Sequence, residues 1–112
     1  MNIDKLKSRT ADAKKLLKAL ASQPRLMILC ELLKGEQTVT AMHRSVGLGM
    51  SAMSQHLAKL RADELVSTRR ESQTIHYSLA SEPARMMIGA LHEIFCMPDE
   101  EKCVQSQPRR RQ

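Results

Sequence analysis

The sequence predicts a mainly α fold with one small β-hairpin, a winged helix-turn-helix assembled as a homodimer. Three observations carry this reading. The segment Met50 to Leu60, M-S-A-M-S-Q-H-L-A-K-L, is a short helix with two unlike faces. Met53, Leu57 and Leu60 recur at helical spacing as one apolar stripe, while Ser51, Ser54, Gln55, Ala58 and Lys59 fall on the other side. Before it, Val39 to Val46 repeats a helical pattern and joins it through Gly47-Leu48-Gly49, so a tight glycine turn links two short helices. After Leu65 the apolar period changes. Val66-Ser67-Thr68-Arg69-Arg70-Glu71 and Thr74-Ile75-His76-Tyr77-Ser78-Leu79 read as two strands around Ser72-Gln73, a hairpin in the position of a wing.

The remaining elements follow in order. An amphipathic helix is expected from Asp4 to Ala21, burying Leu6, Ala13, Leu16, Leu17 and Leu20. Ser22 is a good N-cap for the next helix, with Pro24 in its first turn. Pro24 to Lys34 carries Leu26, Met27, Ile28, Leu29, Cys30, Leu32 and Leu33, which places it at the centre of the core, and Gly35 stops it. Thr38 or Thr40 caps the third helix, and the polar-faced helix ends near Ala62. Past the hairpin, Ser81 caps a last helix reaching about Cys96, with Pro83 in its first turn. Met87, Leu91 and Ile94 line one side of it, and Met86, Ala90 and Phe95 widen the stripe. Residues 1–97 thus form one DNA-binding and dimerisation domain by expectation, and 98–112 a flexible basic tail. The first and last helices show more apolar surface than so small a domain covers, notably Leu16, Leu20, Leu91 and Ile94. A twofold dimer through these two helices is the economical solution.

Composition narrows the class. A chain of 112 residues holds a single core. A net charge of +6 and a pI near 9.6 favour a polyanionic partner. One Tyr, one Phe and no Trp argue against recognition of single strands or RNA by stacking. No apolar run approaches the roughly 20 residues that span a bilayer. Lys5, Lys7 and Arg9 have no apolar stretch behind them, unlike a signal peptide. The expectation is a cytoplasmic protein without a membrane partner, its three cysteines held as thiols. There is no C-x-x-C pair, no glycine-rich phosphate loop and no Ser/His/Asp set in sensible context, so neither an enzyme nor a cofactor is expected.

The polar face of the Met50 helix points to a partner. A merely solvated face usually carries Glu, Lys and Arg, whereas Ser51, Ser54 and Gln55 can pair with base edges and Lys59 can meet phosphate. His56 fits a phosphate contact or packing better than catalysis, since no nucleophile or carboxylate stands beside it. Arg69 and Arg70 on the wing suit phosphate or the minor groove. The expected partner is double-stranded operator DNA with an inverted repeat, because a dimer sets two such helices about one DNA turn, roughly 34 Å, apart. Arg109-Arg110-Arg111 is either a solvated run or a sequence-independent DNA anchor.

The chain resembles the ArsR/SmtB family of small homodimeric bacterial repressors. The matching pieces are L-L-K-A-L-A-S-Q-P-R-L-M-I-L-C-E-L-L (16 to 33), S-A-M-S-Q-H-L-A-K-L-R (51 to 61) and the wing ending Thr74-Ile75-His76-Tyr77-Ser78-Leu79. The resemblance implies an operator-binding repressor that lets go in a second chemical state. Gly49 departs from it, standing where relatives often have a capping Ser, and the C-terminal tail is longer than the pattern requires. Neither metal site known in the family is present. Glu36-Gln37-Thr38-Val39-Thr40-Ala41 holds no Cys-x-Cys pair, and the last helix offers only His92 and Glu93 after Glu82-Pro83-Ala84-Arg85.

Cys30 in the second helix and Cys96 at the end of the last resemble the branch that senses reactive sulfur species and oxidants. That resemblance implies a dithiol switch bridged by a disulfide or a polysulfide, with the operator released on bridging. Taken alone, Cys30 among Leu26, Leu29 and Leu33 is also what a small buried hydrophobe looks like. An alternative is a zinc- or copper-responsive repressor of the same fold using Cys30, His92 and Cys96, though a surface His is the equal reading of His92. An interaction module would not need Ser and Gln on its exposed helix. Cys103 in the tail reads as incidental.

Overall fold

A computed structural model describes residues 2–96. The expected tail, with Cys103 and Arg109-Arg110-Arg111, lies outside the described residues. The element order is α1 Ile3–Ser8, α2 Thr10–Ala21, α3 Gln23–Leu32, β1 Gln37–Thr38, α4 Val39–Val46, α5 Met50–Ala62, β2 Val66–Glu71, β3 Thr74–Leu79 and α6 Glu82–Cys96.

The single N-terminal helix expected from Asp4 to Ala21 is two helices. Arg9 sits between them at φ −112°, ψ 11°, closing α1 and opening α2. The Leu6 carbonyl accepts from the Arg9 amide at 3.0 Å and from the Thr10 hydroxyl at 2.9 Å, which takes up the acceptor that a continuous helix would use. The buried face differs accordingly. Leu16 and Ala19 face inward with Leu20 packed beside them, whereas Leu6 and Leu17 are 44% and 55% exposed.

The core gathers where α3 crosses the others. Ile28, Leu29 and Leu32 of α3 meet Met42 of α4, Met53, Leu57 and Leu60 of α5, and Ala84 and Ile88 of α6, all essentially without exposure. Each large side chain so buried stabilises the fold by about 1.5–3 kcal/mol. On α6 the inward stripe is thus Ala84 and Ile88 with Leu91 half-buried, while Met86, Met87, Ile94 and Phe95 of the expected apolar side are exposed. Of the four residues expected as surplus surface, Ile94 is exposed, whereas Leu16 belongs to the protomer's core and Leu20 and Leu91 are half-buried, because the helices turn a neighbouring stripe outward.

Caps and turns hold the helix pair in place. Ser22 and Thr38 accept from the Arg25 and Ala41 amides, and Ser81 from Ala84. Gly47 ends α4 in the left-handed region at φ 84°, and its amide and that of Leu48 both donate to the His43 carbonyl. α5 closes the same way on a non-glycine residue. Glu64 takes φ 62°, the Leu65 amide reaches back to Leu60 at 2.9 Å, and the Glu64 amide reaches Arg61 at 2.9 Å.

The hairpin has the expected limits, Val66 pairing Leu79 through to Glu71 pairing Thr74, with Ser72 at φ 60° in the turn. A third strand, absent from the expectation, completes the sheet in the order β1-β3-β2. Gln37 pairs Tyr77, and Thr38 pairs His76.

Candidate DNA-binding face and thiol pair

α5 buries Met53, Leu57 and Leu60 and so must turn its other side outward. Ser51, Ser54, Gln55 and Lys59 are exposed there and His56 is half-buried. None of the exposed four has a side-chain hydrogen bond or ion pair among the described residues. Their donors and acceptors are therefore free for base edges or phosphate. Gly49 opens the helix without a side-chain cap, as its identity implies. The deficit is small, because glycine costs only a few tenths of a kcal/mol against serine at this position.

On the wing, the two arginines differ. Arg70 is exposed and has no ion pair among the described residues. Arg69 is held by Glu36, with Nε donating at 3.0 Å and an Nη at 2.8 Å, and lies 3.6 Å from Glu71. His76 Nε2 stands 3.5 Å from the same Glu71 carboxylate. The hydrogen bond from Arg69 holds the Glu36 carboxyl below the usual carboxylate range, with the Arg69 and His76 charges acting the same way. Nothing in the local sequence marks Glu36 as a wing residue. Its partner is 33 residues away, and only the β1–β3 pairing brings them together.

The thiols come from α3 and α6, which pack against each other. Cys30 is half-buried against the core, Cys96 is exposed, and both are free thiols. Burial pushes the Cys30 thiol up, and the negative charges of Cys96 and then Glu31 push it further. Among the described residues no three His, Cys, Asp or Glu side chains gather closely enough to hold a metal ion. The set of Cys30, His92 and Cys96 is therefore not assembled. No helix among the described residues is long and apolar enough to cross a membrane.

A three-stranded wing beside a glycine-turned helix pair, with an unspent polar stripe on the second helix, defines a winged helix-turn-helix DNA-binding protein. Residues 22–68 match the family described as bacterial regulatory protein, arsR family. The chain is 44% identical to the transcriptional activator HlyU of Vibrio cholerae serotype O1 over 89% of its own length and 93% of that protein's. It belongs to the ArsR family of transcriptional regulators. The structure of reduced HlyU from V. cholerae superposes with a TM-score of 0.79 at 44% identity, covering 85% of this chain and 100% of that one. The transcriptional repressor BigR from Xylella fastidiosa gives 0.79 at 35% identity, over 88% and 100%. A homodimeric winged helix-turn-helix DNA-binding domain from Mycobacterium bovis, Mb0332, gives 0.72 at 26% identity, over 96% and 97%.

Proposed function

We propose that this chain is a homodimeric repressor that binds an inverted-repeat operator and releases it when reactive sulfur species or oxidants bridge Cys30 to Cys96. The observation that carries the reading is that Cys30 and Cys96 stand on α3 and α6, two helices that pack against each other. The BigR repressor and the homodimeric Mb0332 domain support repression and pairing, and the outward Leu6, Leu17, Ile94 and Phe95 supply an apolar seam. The metal-responsive alternative needs Cys30, His92 and Cys96 together, and no three such side chains gather among the described residues.

The chemistry balances with a low-molecular-weight persulfide as oxidant. The exposed Cys96 thiolate attacks the outer sulfur of R–S–SH, R–SH leaves, and Cys96 carries the persulfide. Cys30, once deprotonated, attacks the Cys96 sulfur and expels hydrosulfide. Two thiols have then lost two electrons to the sulfane sulfur, and their two protons leave on the thiol and hydrosulfide products. Closing the bridge draws the end of α6 onto α3. Because α6 also carries the seam residues Ile94 and Phe95, the spacing of the two α5 helices shifts against fixed half-sites. A coupling of about 1–3 kcal/mol is enough to release the operator.

The test is polysulfide treatment followed by mass mapping and operator titration of wild type, Cys30→Ser and Cys96→Ser. Wild type should form the bridge and lose the operator, and both variants should hold it. Release by either variant as readily as by wild type, or a bridge mapped to Cys103, sinks the reading.

A further inference from the structure

A groove of about 700 Å³ lies between α2, the first turn of α3 and the C-terminal end of α5. Its lining includes Lys14, Lys15 and Lys18 of α2, Arg25 of α3 and Lys59 of α5, opposed by the single carboxylate of Asp63. None of these five cations has an ion pair among the described residues, and the Arg25 Nε is buried without a hydrogen-bond partner. Asp12, one turn before Lys15, is occupied by Arg9 at 3.2 Å. A solvated helix face pairs its lysines with acids three or four residues away. This one gathers unpaired positive charge into a concavity, where a polyanion relieves the repulsion and releases its own counterions.

Position selects the polyanion. Ser51, Gln55 and Lys59 stand at i, i+4 and i+8 on α5, which at 1.5 Å per residue spans roughly 12 Å. That is about the width of the B-DNA major groove. With Ser51 and Gln55 at base edges, Lys59 reaches the phosphate ridge at the border, and the cationic groove begins where Lys59 ends.

We propose that this groove is a second DNA-backbone site, in which Lys14, Lys15, Lys18 and Arg25 hold the phosphates flanking the major groove entered by α5. The inference rests on α5 docking in that groove. It extends the footprint onto the N-terminal half of the protein, beyond the C-terminal end of α5. These contacts carry no sequence information, so they raise affinity for every duplex by the same factor.

The experiment compares wild type with a Lys14→Gln/Lys15→Gln/Lys18→Gln triple variant. Two duplexes of roughly 40 base pairs, long enough for both half-sites, are titrated across a salt series: one selected from a random pool by the wild-type protein, one of random sequence. The triple variant should lose affinity for both by the same factor, roughly ten- to a hundredfold, and its salt slope should fall by about 0.9 for each phosphate it no longer neutralises. Asp63→Asn, which removes the opposing carboxylate, should tighten both. If the triple variant sediments differently from wild type, Lys15→Gln alone is judged on the same slope. An unchanged slope overturns the proposal, as does a changed preference between the two duplexes. Sodium tripolyphosphate serves as a small-anion probe. If the lysine variants lose tripolyphosphate binding while keeping the wild-type DNA slope, the groove is a small-anion site and the proposal fails. Gln55→Ala run in parallel separates the two readings: loss of preference there with no lysine effect rejects the groove alone, and no loss rejects the docking of α5.

Discussion

Arg69 on the wing and Glu36 ahead of β1 form a two-pronged pair, Nε to one carboxylate oxygen at 3.0 Å and Nη to the other at 2.8 Å. Both side chains are substantially exposed, 52% and 35%, so the pair steers the wing more than it stabilises the fold. It also competes with DNA for a guanidinium whose fork fits phosphate equally well. Glu36→Gln should free Arg69 and remove one negative charge beside it, giving tighter binding to any duplex at low salt and a steeper salt slope. Weaker binding in a salt-controlled titration would show that the clamp sets a wing pose that DNA requires. Because Arg69 depresses the Glu36 carboxyl, the pair's stabilisation is complete above the ordinary carboxylate range and is lost only as pH falls through the lowered value. Amide protection across β2 and β3, measured against the intrinsic exchange rate at each pH, should therefore stay constant from neutral pH down to that range.

The proposed contacts assign base reading to Gln55 on α5 and phosphate holding to Arg70 on the wing. Gln55→Ala should lose discrimination worth roughly 1–3 kcal/mol if the side chain reads a base through two hydrogen bonds. Arg70→Ala should weaken all sequences alike and flatten the salt dependence. Operator preference unchanged in Gln55→Ala removes that residue from the reading set.

For the dimer, the informative residues are the exposed ones. Leu17 and Ile94 are 55% and 60% exposed in the single chain, so Leu17→Glu or Ile94→Glu should leave the protomer folded and abolish pairing. Wild type should sediment near twice its 12.6 kDa chain mass, and the variants near that mass with unchanged helical circular dichroism. A variant that still sediments as a dimer moves the seam elsewhere. Leu16, by contrast, belongs to the protomer's own core, and its loss would unfold rather than dissociate.

The two thiols should react in a fixed order. Burial and the Cys96 and Glu31 charges hold the Cys30 proton above the ordinary thiol range, while Cys96 is exposed. Timed alkylation near neutral pH should label Cys96 well before Cys30, and raising the pH should close the gap. In Cys96→Ser one of the opposing charges is gone, so Cys30 should react at lower pH than in wild type. Equal rates at neutral pH contradict this order.

Much of the architecture was legible because it is written in local signals. The caps Ser22, Thr38 and Ser81, the left-handed Gly47 and the period change after Leu65 each act within a few residues, and both hairpin strands have the limits that alternation predicts. The break at Arg9 carries no Pro or Gly to announce it; it arises from competition for one carbonyl. β1 is two residues long, too short for any period, and exists because β3 is alongside. The exposed stripe of α5 followed from its apolar one, since the two are complementary. The Glu36 clamp and the basic groove join residues far apart in sequence, and only the packed chain brings them together.

Thr38 closes β1 against His76 and, through its hydroxyl 3.1 Å from the Ala41 amide, starts α4. One residue is thus the common hinge pin of the wing and the helix pair. The wing and the helix pair are therefore joined at this residue as well as through the α4–β3 and α5–β2 packing, so a tilt of α4 is passed on to the hairpin. Their relative pose is set before DNA arrives, so less freedom is lost on docking than two independently tethered elements would lose. The same gearing limits how the operator can be released. A signal arriving through α6, which packs on both α3 and β3, reaches the helix pair and the wing together, so disengagement should be concerted rather than stepwise.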